Sequence, residues 1–220
     1  MSKNATGADR FAVADLPIDD IDSGESILLT GADADALRGV FNRLVAADDG
    51  ERSVVLATNS DGMTVQRNID AVRREAGART LVLASNGPAR GDEIETVDDI
   101  GDLTTLGMQF SNLVAASQQV HPRFRSGIFL CSTITAAVDD TRSVYRFLNT
   151  NFLTELRRGD GIGVCAIDTS ADLETDVDSM ITGLETSFTG RIDVERTGPN
   201  DLVLTVTGLS SREQTLEVSL

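Results

Sequence analysis

The residues best placed to do chemistry follow the first predicted strand, Ser26–Thr30, where the chain enters a predicted helix. In an open α/β sheet the turn after a strand is where ligands bind. In a phosphate-binding loop this turn reads G-x-x-x-x-G-K-[ST]: the glycines let backbone N–H groups surround the phosphates, the lysine neutralises them, and the hydroxyl binds Mg²⁺. Gly31 fits the first glycine. The last three positions are held by Ala36, Leu37 and Arg38. The loop therefore lacks the groups that would hold a nucleotide.

Two aspartates in the same turn, Asp33 and Asp35, would repel a phosphate. Arg38 could supply one cation, although it lies on the predicted helix. The simpler interpretation is an ordinary strand-to-helix turn, in which acidic residues are favourable near the helix N-terminus. We favour that interpretation.

Polar side chains also follow two later predicted strands. Ser132, Thr133 and Thr135 form a hydroxyl cluster after the strand Gly127–Cys131, and Asp168, Thr169 and Ser170 follow the strand Gly161–Ile167. Together they could bind a small polar ligand at the same edge of the sheet. Asp, Ser and Thr are also standard capping residues, and cysteines inside apolar runs are more often core residues than reactive thiols.

Single-residue counts exclude several kinds of site. The chain has one lysine, one histidine and two cysteines. These numbers rule out a multi-histidine zinc site and a disulfide framework, and we predict no metal site. The histidine, His121, lies near Arg123 and Arg125 in what reads as a small basic patch before a strand.

The charge balance is strongly acidic, with 35 acidic and 19 basic residues and a net charge of −16. Of the acidic residues 24 are aspartate, a pattern that predicts adaptation to very high intracellular salt, where surface repulsion is screened. An acidic protein of ordinary cytoplasm is the alternative. The negative field disfavours nucleic acid as a partner. No run of about 18 apolar residues occurs, so we expect no membrane span and a cytoplasmic location.

The order of predicted elements indicates an α/β fold. Five apolar strands, each followed by a helical pattern, predict a mostly parallel central sheet with helices on both faces, and the C-terminal part alternates like an antiparallel β hairpin. The strands are expected at 26–30, 53–58, 80–84, 127–131 and 161–167. We expect a flexible tail and lead-in segment at residues 1–22 and one domain at 23–220. Asp102 is the predicted N-cap of a long helix, and a single helix is expected through Val144–Leu156.

Several segments carry a family resemblance. Glu25–Val45 resembles the first strand, P-loop and first helix of the RecA/KaiC-like P-loop NTPases, and Gly127–Leu156 is similar to their Walker B strand and the following helix. Gly101–Ser111, Val144–Leu148 and Gly163–Asp168 resemble degenerate KaiC-like domains of unknown function from halophilic archaea. The resemblance spans residues 23–220 and implies their α/β fold.

Departures from that family decide the expected function. The resemblance aligns the Walker B aspartate with Cys131, and Thr58–Ser60 stands where relatives carry a catalytic glutamate. We therefore expect no catalytic residue and no cofactor. The vestigial nucleotide-binding residues implied by the resemblance are Gly31, Ala36, Leu37, Arg38, Cys131, Ser132 and Asp168.

The expected function is a pseudo-ATPase that acts as a regulatory or protein-interaction module in signal transduction, with a protein partner or self-association. The alternative is a residual nucleotide-binding protein or weak ATPase that acts as an oligomer and binds ATP and Mg²⁺. A DNA-associated regulator is the least favoured hypothesis, because phosphate contacts would have to outweigh the negative field.

Overall fold

The computed structural model describes residues 10–171, 177–209 and 212–220. Leu173, which we expected on a helical face, lies outside these residues. The described elements, in chain order, are β1 (Arg10–Phe11), β2 (Ile21–Asp22), β3 (Ser26–Gly31), α1 (Ala34–Val45), β4 (Glu51–Asp61), α2 (Gly62–Val72), a 3-10 turn (Gly77–Arg79), β5 (Thr80–Asn86), β6 (Ile94–Thr96), α3 (Leu103–Val120), β7 (Arg123–Phe129), α4 (Cys131–Ala136), α5 (Thr141–Phe147), a π-turn (Leu148–Phe152), α6 (Leu153–Arg158), β8 (Asp160–Asp168), α7 (Val177–Glu185), β9 (Gly190–Arg196), β10 (Asp201–Thr207) and β11 (Gln214–Ser219).

The central sheet contains nine strands in the order β11-β10-β9-β3-β8-β7-β4-β5-β6. All pairs from β9 to β6 are parallel, while β10 pairs antiparallel with both β9 and β11. This arrangement confirms the predicted mostly parallel sheet with an antiparallel hairpin at its C-terminal end.

The sheet buries apolar side chains on both faces, which explains its nearly continuous apolar strands. Ile27 and Leu29 of β3 point to a core shared with α1 and α2, and the intervening Leu28 points to a core shared with α3 to α7. The helices therefore cover both faces. Among the described residues, no helix has the length and apolar character to cross a membrane.

Aspartates begin four of the helices. At α1, α2, α3 and α5 a carboxylate accepts a hydrogen bond from a backbone N–H of the first turn, which satisfies one of the donors that a helix start leaves unpaired. The four N-cap residues are Asp33, Asp61, Asp102 and Asp140. The predicted cap at Asp102 is confirmed, and part of the aspartate excess has a local structural role.

The helix predicted through Val144–Leu156 is interrupted by the π-turn. There the side-chain amide of Asn149 donates to the Tyr145 carbonyl over 2.9 Å, and the Thr154 hydroxyl donates to the Asn149 carbonyl over 2.8 Å. Such bonds compete with the regular helical pattern.

The segment before the first strand of the central sheet is folded from Arg10 onward. Residues 1–9 lie outside the described part, but β1 and β2 pair with each other and the Phe11 side chain is fully buried. Arg125 of β7, also fully buried, donates to the Ala12 carbonyl over 2.8 Å. The segment 10–22 therefore packs on the amino end of the sheet.

The fourth predicted strand, Gly127–Cys131, is displaced in the structure. β7 begins at Arg123 and ends at Phe129, and Cys131 is the first residue of α4. Two arginines near its start hid the strand pattern, because arginine is rarely buried without a partner. Arg125 Nε donates to Glu51 Oε2 over 2.7 Å, so the expected basic patch is instead part of an internal ion-pair network.

Candidate functional site

The carboxyl ends of five parallel strands line one edge of the sheet, where open α/β sheets bind ligands. β3, β8, β7, β4 and β5 lie side by side in this order. Gly31, the last residue of β3, lies opposite Asp168, the last residue of β8. Phe129 at the end of β7 lies opposite Ala57 of β4. The edge therefore collects the polar segments that the sequence analysis selected.

The turn between β3 and α1 contains only Ala32 and Asp33, because α1 already begins at Ala34. Asp33 Oδ1 accepts a hydrogen bond of 2.8 Å from the backbone N–H of Ala36. The backbone N–H of Leu37 donates to the Asp33 carbonyl over 2.9 Å. A phosphate loop needs free N–H groups at the start of its helix. Here the carboxylate of Asp33 takes that position.

Arg196 on the neighbouring strand β9 completes the contact. Its Nε donates to Asp33 Oδ2 over 2.6 Å and its Nη2 to Asp33 Oδ1 over 3.2 Å. These side-chain hydrogen bonds, followed by the one from the Ala36 N–H, lower the pKa of Asp33 to about 2. Asp33 is therefore ionised at neutral pH. Sequence reasoning missed Arg196 because it lies 163 positions away and no local pattern links the two residues.

Three of the predicted phosphate-loop residues, Gly31, Ala36 and Leu37, are buried. The side chains of Ala36 and Leu37 are fully buried in the core on the α1 side of the sheet. A Cβ atom on Gly31 would lie 2.7 Å from the Val194 carbonyl oxygen, so glycine is required here by the close approach of β9. The glycine and the two helical residues therefore serve the packing of β3, β9 and α1.

Arg38 is the one polar residue of that set, and it has two neighbours. Its Nη1 donates to Asp35 Oδ1 over 2.7 Å, and its guanidinium carbon lies 5.3 Å from the centre of the Phe129 ring. Asp35 is well exposed, so this ion pair is a surface contact on α1. The turn fits the simpler interpretation of a capped strand-to-helix connection.

The other predicted nucleotide-binding residues, Cys131, Ser132 and Asp168, lie partly in the hydrophobic core and partly at the turn after β8. Cys131 is fully buried at the start of α4, and Ser132 accepts a long hydrogen bond of 3.4 Å from the backbone N–H of Asp168. The Asp168 carboxylate itself accepts 2.8 Å and 2.6 Å bonds from the N–H and hydroxyl of Ser170. Burial also raises the pKa of the Cys165 thiol, which fits a core cysteine. The structure brings Ser132 and Asp168 together, but the Asp168 carboxylate is already bound by Ser170 within its own turn.

The end of β4 adds two residues whose roles the sequence analysis did not assign. The Thr58 hydroxyl accepts a 2.9 Å bond from the Leu130 N–H and so ties β4 to the exit of β7. Asp61 accepts a 3.0 Å bond from the Thr64 N–H and a 2.8 Å bond from its hydroxyl, which lower its pKa. The carboxylate nearest to the position of the expected glutamate thus caps α2.

The residues at this edge do not fit Mg²⁺ and a triphosphate. Leu37 stands at the lysine position, the helix start is already occupied by Asp33, and Cys131 is buried. Within residues 10–171, 177–209 and 212–220, no group of three or more His, Cys, Asp or Glu side chains is arranged to hold a metal ion. The cavity beside Arg38 and Phe129 has a volume of about 10 Å³, room for about one water molecule.

Two surface depressions among the described residues lie around α3 and α5. One groove of about 340 Å³ is lined by residues of both helices and the π-turn, among them Met108, Arg146 and Phe147. A second depression of about 540 Å³ lies at the start of α3 and includes Asp99 and Asp139. Met108 is 59% exposed, which is high for a large apolar side chain.

Solved structures with a similar fold come from a hyperthermophilic archaeon. A KaiC-like protein of Pyrococcus horikoshii OT3 has a TM-score of 0.60 and 13% identity, covering 94% of this chain and 93% of that protein. An uncharacterised protein of Pyrococcus horikoshii, solved in complex with an unknown peptide, has a TM-score of 0.59 and 10% identity, with 90% and 93% covered. These likenesses establish the KaiC-like α/β fold. No curated protein sequence matches the chain.

A family model provides the remaining comparison. It describes a family of unknown function, DUF7504, and it matches residues 24–210, which contain the sheet from β3 to β10 and the whole edge described above. By this match the chain belongs to the DUF7504 family.

Proposed function

We propose that this chain is a RecA/KaiC-like domain that does not hydrolyse ATP and that serves as a regulatory or protein-interaction module. In this proposal it acts in signal transduction in a cytoplasm of high salt, through a protein partner or self-association. The KaiC-like fold supplies the framework, and the chemistry of the edge where such a fold binds ligands supports the loss of catalysis.

The position of the Asp33 carboxylate is the observation that carries the proposal. Phosphoryl transfer depends on positive groups and free N–H donors around the phosphates, and the loss of one such group costs orders of magnitude in rate. In this chain the helix start holds an ionised carboxylate, neutralised by Arg196 at 2.6 Å. An incoming phosphate would find the Ala36 N–H and the Arg196 guanidinium already bound to Asp33.

An interaction module also needs an accessible surface. The groove between α3 and α5 offers an exposed apolar side chain, Met108, next to the cation of Arg146. Exposed apolar residues flanked by charges are typical of surfaces that bind other proteins. This feature supports the interaction role.

Thermal unfolding with nucleotides tests the proposal. The purified chain would be heated in molar KCl with Mg-ATP, Mg-ADP or Mg-GTP at millimolar concentration. A ligand present at 100 times its Kd stabilises a protein by about 2.7 kcal/mol, which raises the Tm of a chain this size by roughly 5–10 °C. We expect no such shift, and we expect phosphate release from Mg-ATP to stay at the level of buffer.

A KaiC-like nucleotide-binding protein serves as the positive control in the same buffer. A Tm increase of several degrees with any nucleotide would contradict the proposal and favour residual nucleotide binding by an oligomer. Phosphate release above buffer that scales with the protein concentration would favour a weak ATPase.

A further inference from the structure

The two edges of the central sheet differ in how their backbone is protected. At one edge β6 has only three residues, and the preceding chain folds back on it through a bridge between Arg90 and Ile94. At the other edge β11 extends over Gln214–Ser219 and, among the described strands, pairs only with β10. Long, uncovered edge strands are ready to pair with another chain.

The hydrogen bonds of β10 identify which groups of β11 point outward. The Leu220 N–H donates to the Asn200 carbonyl over 2.8 Å, in the same register that places Leu216 opposite Leu204. Since hydrogen-bonding direction alternates along a strand, the even-numbered residues of β11 face β10. The N–H and C=O groups of Thr215, Glu217 and Ser219 therefore point to the free edge.

β11 lacks the features that usually prevent edge pairing. It contains no lysine, no proline and no bulge in its pairing with β10, and Glu217 is its only charged residue. Leu216 and Val218 are only partly buried against the core on the α1 side. A strand added beside β11 would cover both the free backbone groups and the remaining apolar surface.

We propose that β11 binds β11 of a second copy of this chain, antiparallel and about a two-fold axis at Leu216. The outward-facing residues must oppose each other, and the symmetric registers that overlap most of β11 centre on Leu216 or on Glu217. Centring on Glu217 places two like charges directly opposite, which is destabilising. Centring on Leu216 places Glu217 opposite Thr215 and packs the two leucines together. The sheet then continues through both protomers, and the two-fold closes the assembly.

The charge of the chain gives this dimer an unusual salt dependence. Each copy carries a net charge of −16, so association is opposed by repulsion that salt screens. Salt affects the backbone hydrogen bonds and leucine contacts between the two β11 strands far less than it affects the charge repulsion. The dimer therefore strengthens as the KCl concentration rises.

Sedimentation velocity with a proline variant tests the pairing. Proline at an outward-facing edge position leaves the bonds to β10 intact. We expect the wild type to sediment as a dimer in about 3 M KCl and to dissociate in about 0.3 M KCl. Glu217→Pro is expected to raise the Kd of the dimer by roughly 10- to 100-fold, because two hydrogen bonds are lost per dimer. Glu217→Ala keeps the N–H and is expected to remain dimeric.

Several outcomes would overturn the proposal: a wild type that stays monomeric at every salt concentration, or a Glu217→Pro dimer as tight as that of Glu217→Ala. Circular dichroism and urea unfolding of both variants check that the fold is retained. If Glu217→Pro is unfolded, the cysteine variants below decide.

A disulfide test checks the register independently. Residues opposite each other at a non-hydrogen-bonded antiparallel position have Cα atoms about 4.5 Å apart, within disulfide range. Leu216→Cys should therefore give a covalent dimer on mild oxidation, and Glu217→Cys should give far less. Cys131 and Cys165 are buried and serve as the wild-type background. Equal cross-linking of the two variants, or none, would contradict pairing at Leu216.

This inference rests on the proposed function in one respect, because it supplies that interaction module with a partner, a second copy. Its failure remains distinguishable, since mass and cross-linking test the edge while nucleotide-induced stabilisation tests the loss of ATP binding. A monomer that ignores ATP would overturn only the pairing. A dimer that binds ATP would overturn only the lost-nucleotide proposal.

Discussion

The two ends of the central sheet use charged residues in opposite ways. At the amino end Arg125 is fully buried and its Nε, Nη1 and Nη2 donate to Glu51, the Leu44 carbonyl and the Ala12 carbonyl over 2.7, 3.0 and 2.8 Å. At the carboxyl end the charged groups are exposed or partly exposed, and two aspartates there, Asp33 and Asp61, cap helices. The amino end contains a buried ion pair, and the carboxyl end contains aspartates that cap helix N-termini.

The two ends of the sheet therefore have different roles: the buried pair at the amino end contributes to stability, and the carboxyl end is where a ligand would bind. Burial lowers the pKa of Arg125, and the contact with Glu51 opposes that shift. A buried pair is costly to break. At the carboxyl end the caps satisfy the helix starts and occupy the place of a ligand, so changes there should affect anion binding more than stability.

The largest effect is expected at the amino end. Arg125→Ala should lower the free energy of unfolding by about 3–5 kcal/mol, because buried Glu51 is left with the longer 3.4 Å ion pair to Arg123, and the Leu44 and Ala12 carbonyls lose their buried donor. Urea unfolding in molar KCl measures this change. Asp22→Asn, which removes the exposed pair with Arg10, is the control and should cost about 0–1 kcal/mol. Equal losses in the two variants would show that burial does not distinguish these pairs.

Gly31→Ala should have an intermediate effect at the carboxyl end. The new Cβ would meet the Val194 carbonyl oxygen at 2.7 Å, and such overpacking costs about 1–3 kcal/mol. The same urea measurement tests it. A variant as stable as the wild type would mean that close packing of β9 does not require glycine here.

Asp33→Asn should change the pH dependence of stability. The folded-state pKa of Asp33 is lowered to about 2, so its contribution is present above about pH 4 and is lost as the pH falls towards 2. The asparagine variant should therefore lose less stability than the wild type over this interval, as measured by Tm at several pH values. Arg196→Gln should reproduce the effect, because it removes the main cause of the lowered pKa. Unchanged profiles in both variants would contradict the role of this ion pair.

The smallest effect is expected for Arg38→Gln. Its partner Asp35 is 82% exposed, and exposed ion pairs on helices contribute about 0.3–0.5 kcal/mol. Urea unfolding should show a change of that size, with no change in the response to nucleotides. A loss above about 1 kcal/mol would show that the contact with Phe129 matters more than the ion pair.

Local patterns predicted the framework well. The apolar strands and the cap at Asp102 each follow from residues close together in the chain. The start of β7 was misplaced because Arg123 and Arg125 look like surface residues until Glu51 is brought beside them by the β4–β7 pairing.

The candidate site was predicted in part. The prediction that a phosphate loop is lost rests on Ala36 and Leu37, and acidic residues near the α1 N-terminus were anticipated as the simpler interpretation of the turn. The contact between Asp33 and Arg196 was not anticipated, because it joins the turn after β3 to β9, and these two strands pair only in the folded sheet. Cys131 was assigned to a strand that ends two residues earlier.

Calorimetric titration of inorganic pyrophosphate into the wild type and Asp33→Ser tests the central claim most directly. Serine keeps a capping oxygen but removes the negative charge, so Arg196 loses its ion-pair partner and becomes available to an anion beside the α1 N-terminus. In molar KCl we expect no binding to the wild type and measurable binding to Asp33→Ser. Binding to the wild type, or none to either protein, would contradict the account that the Asp33 carboxylate occupies the anion position.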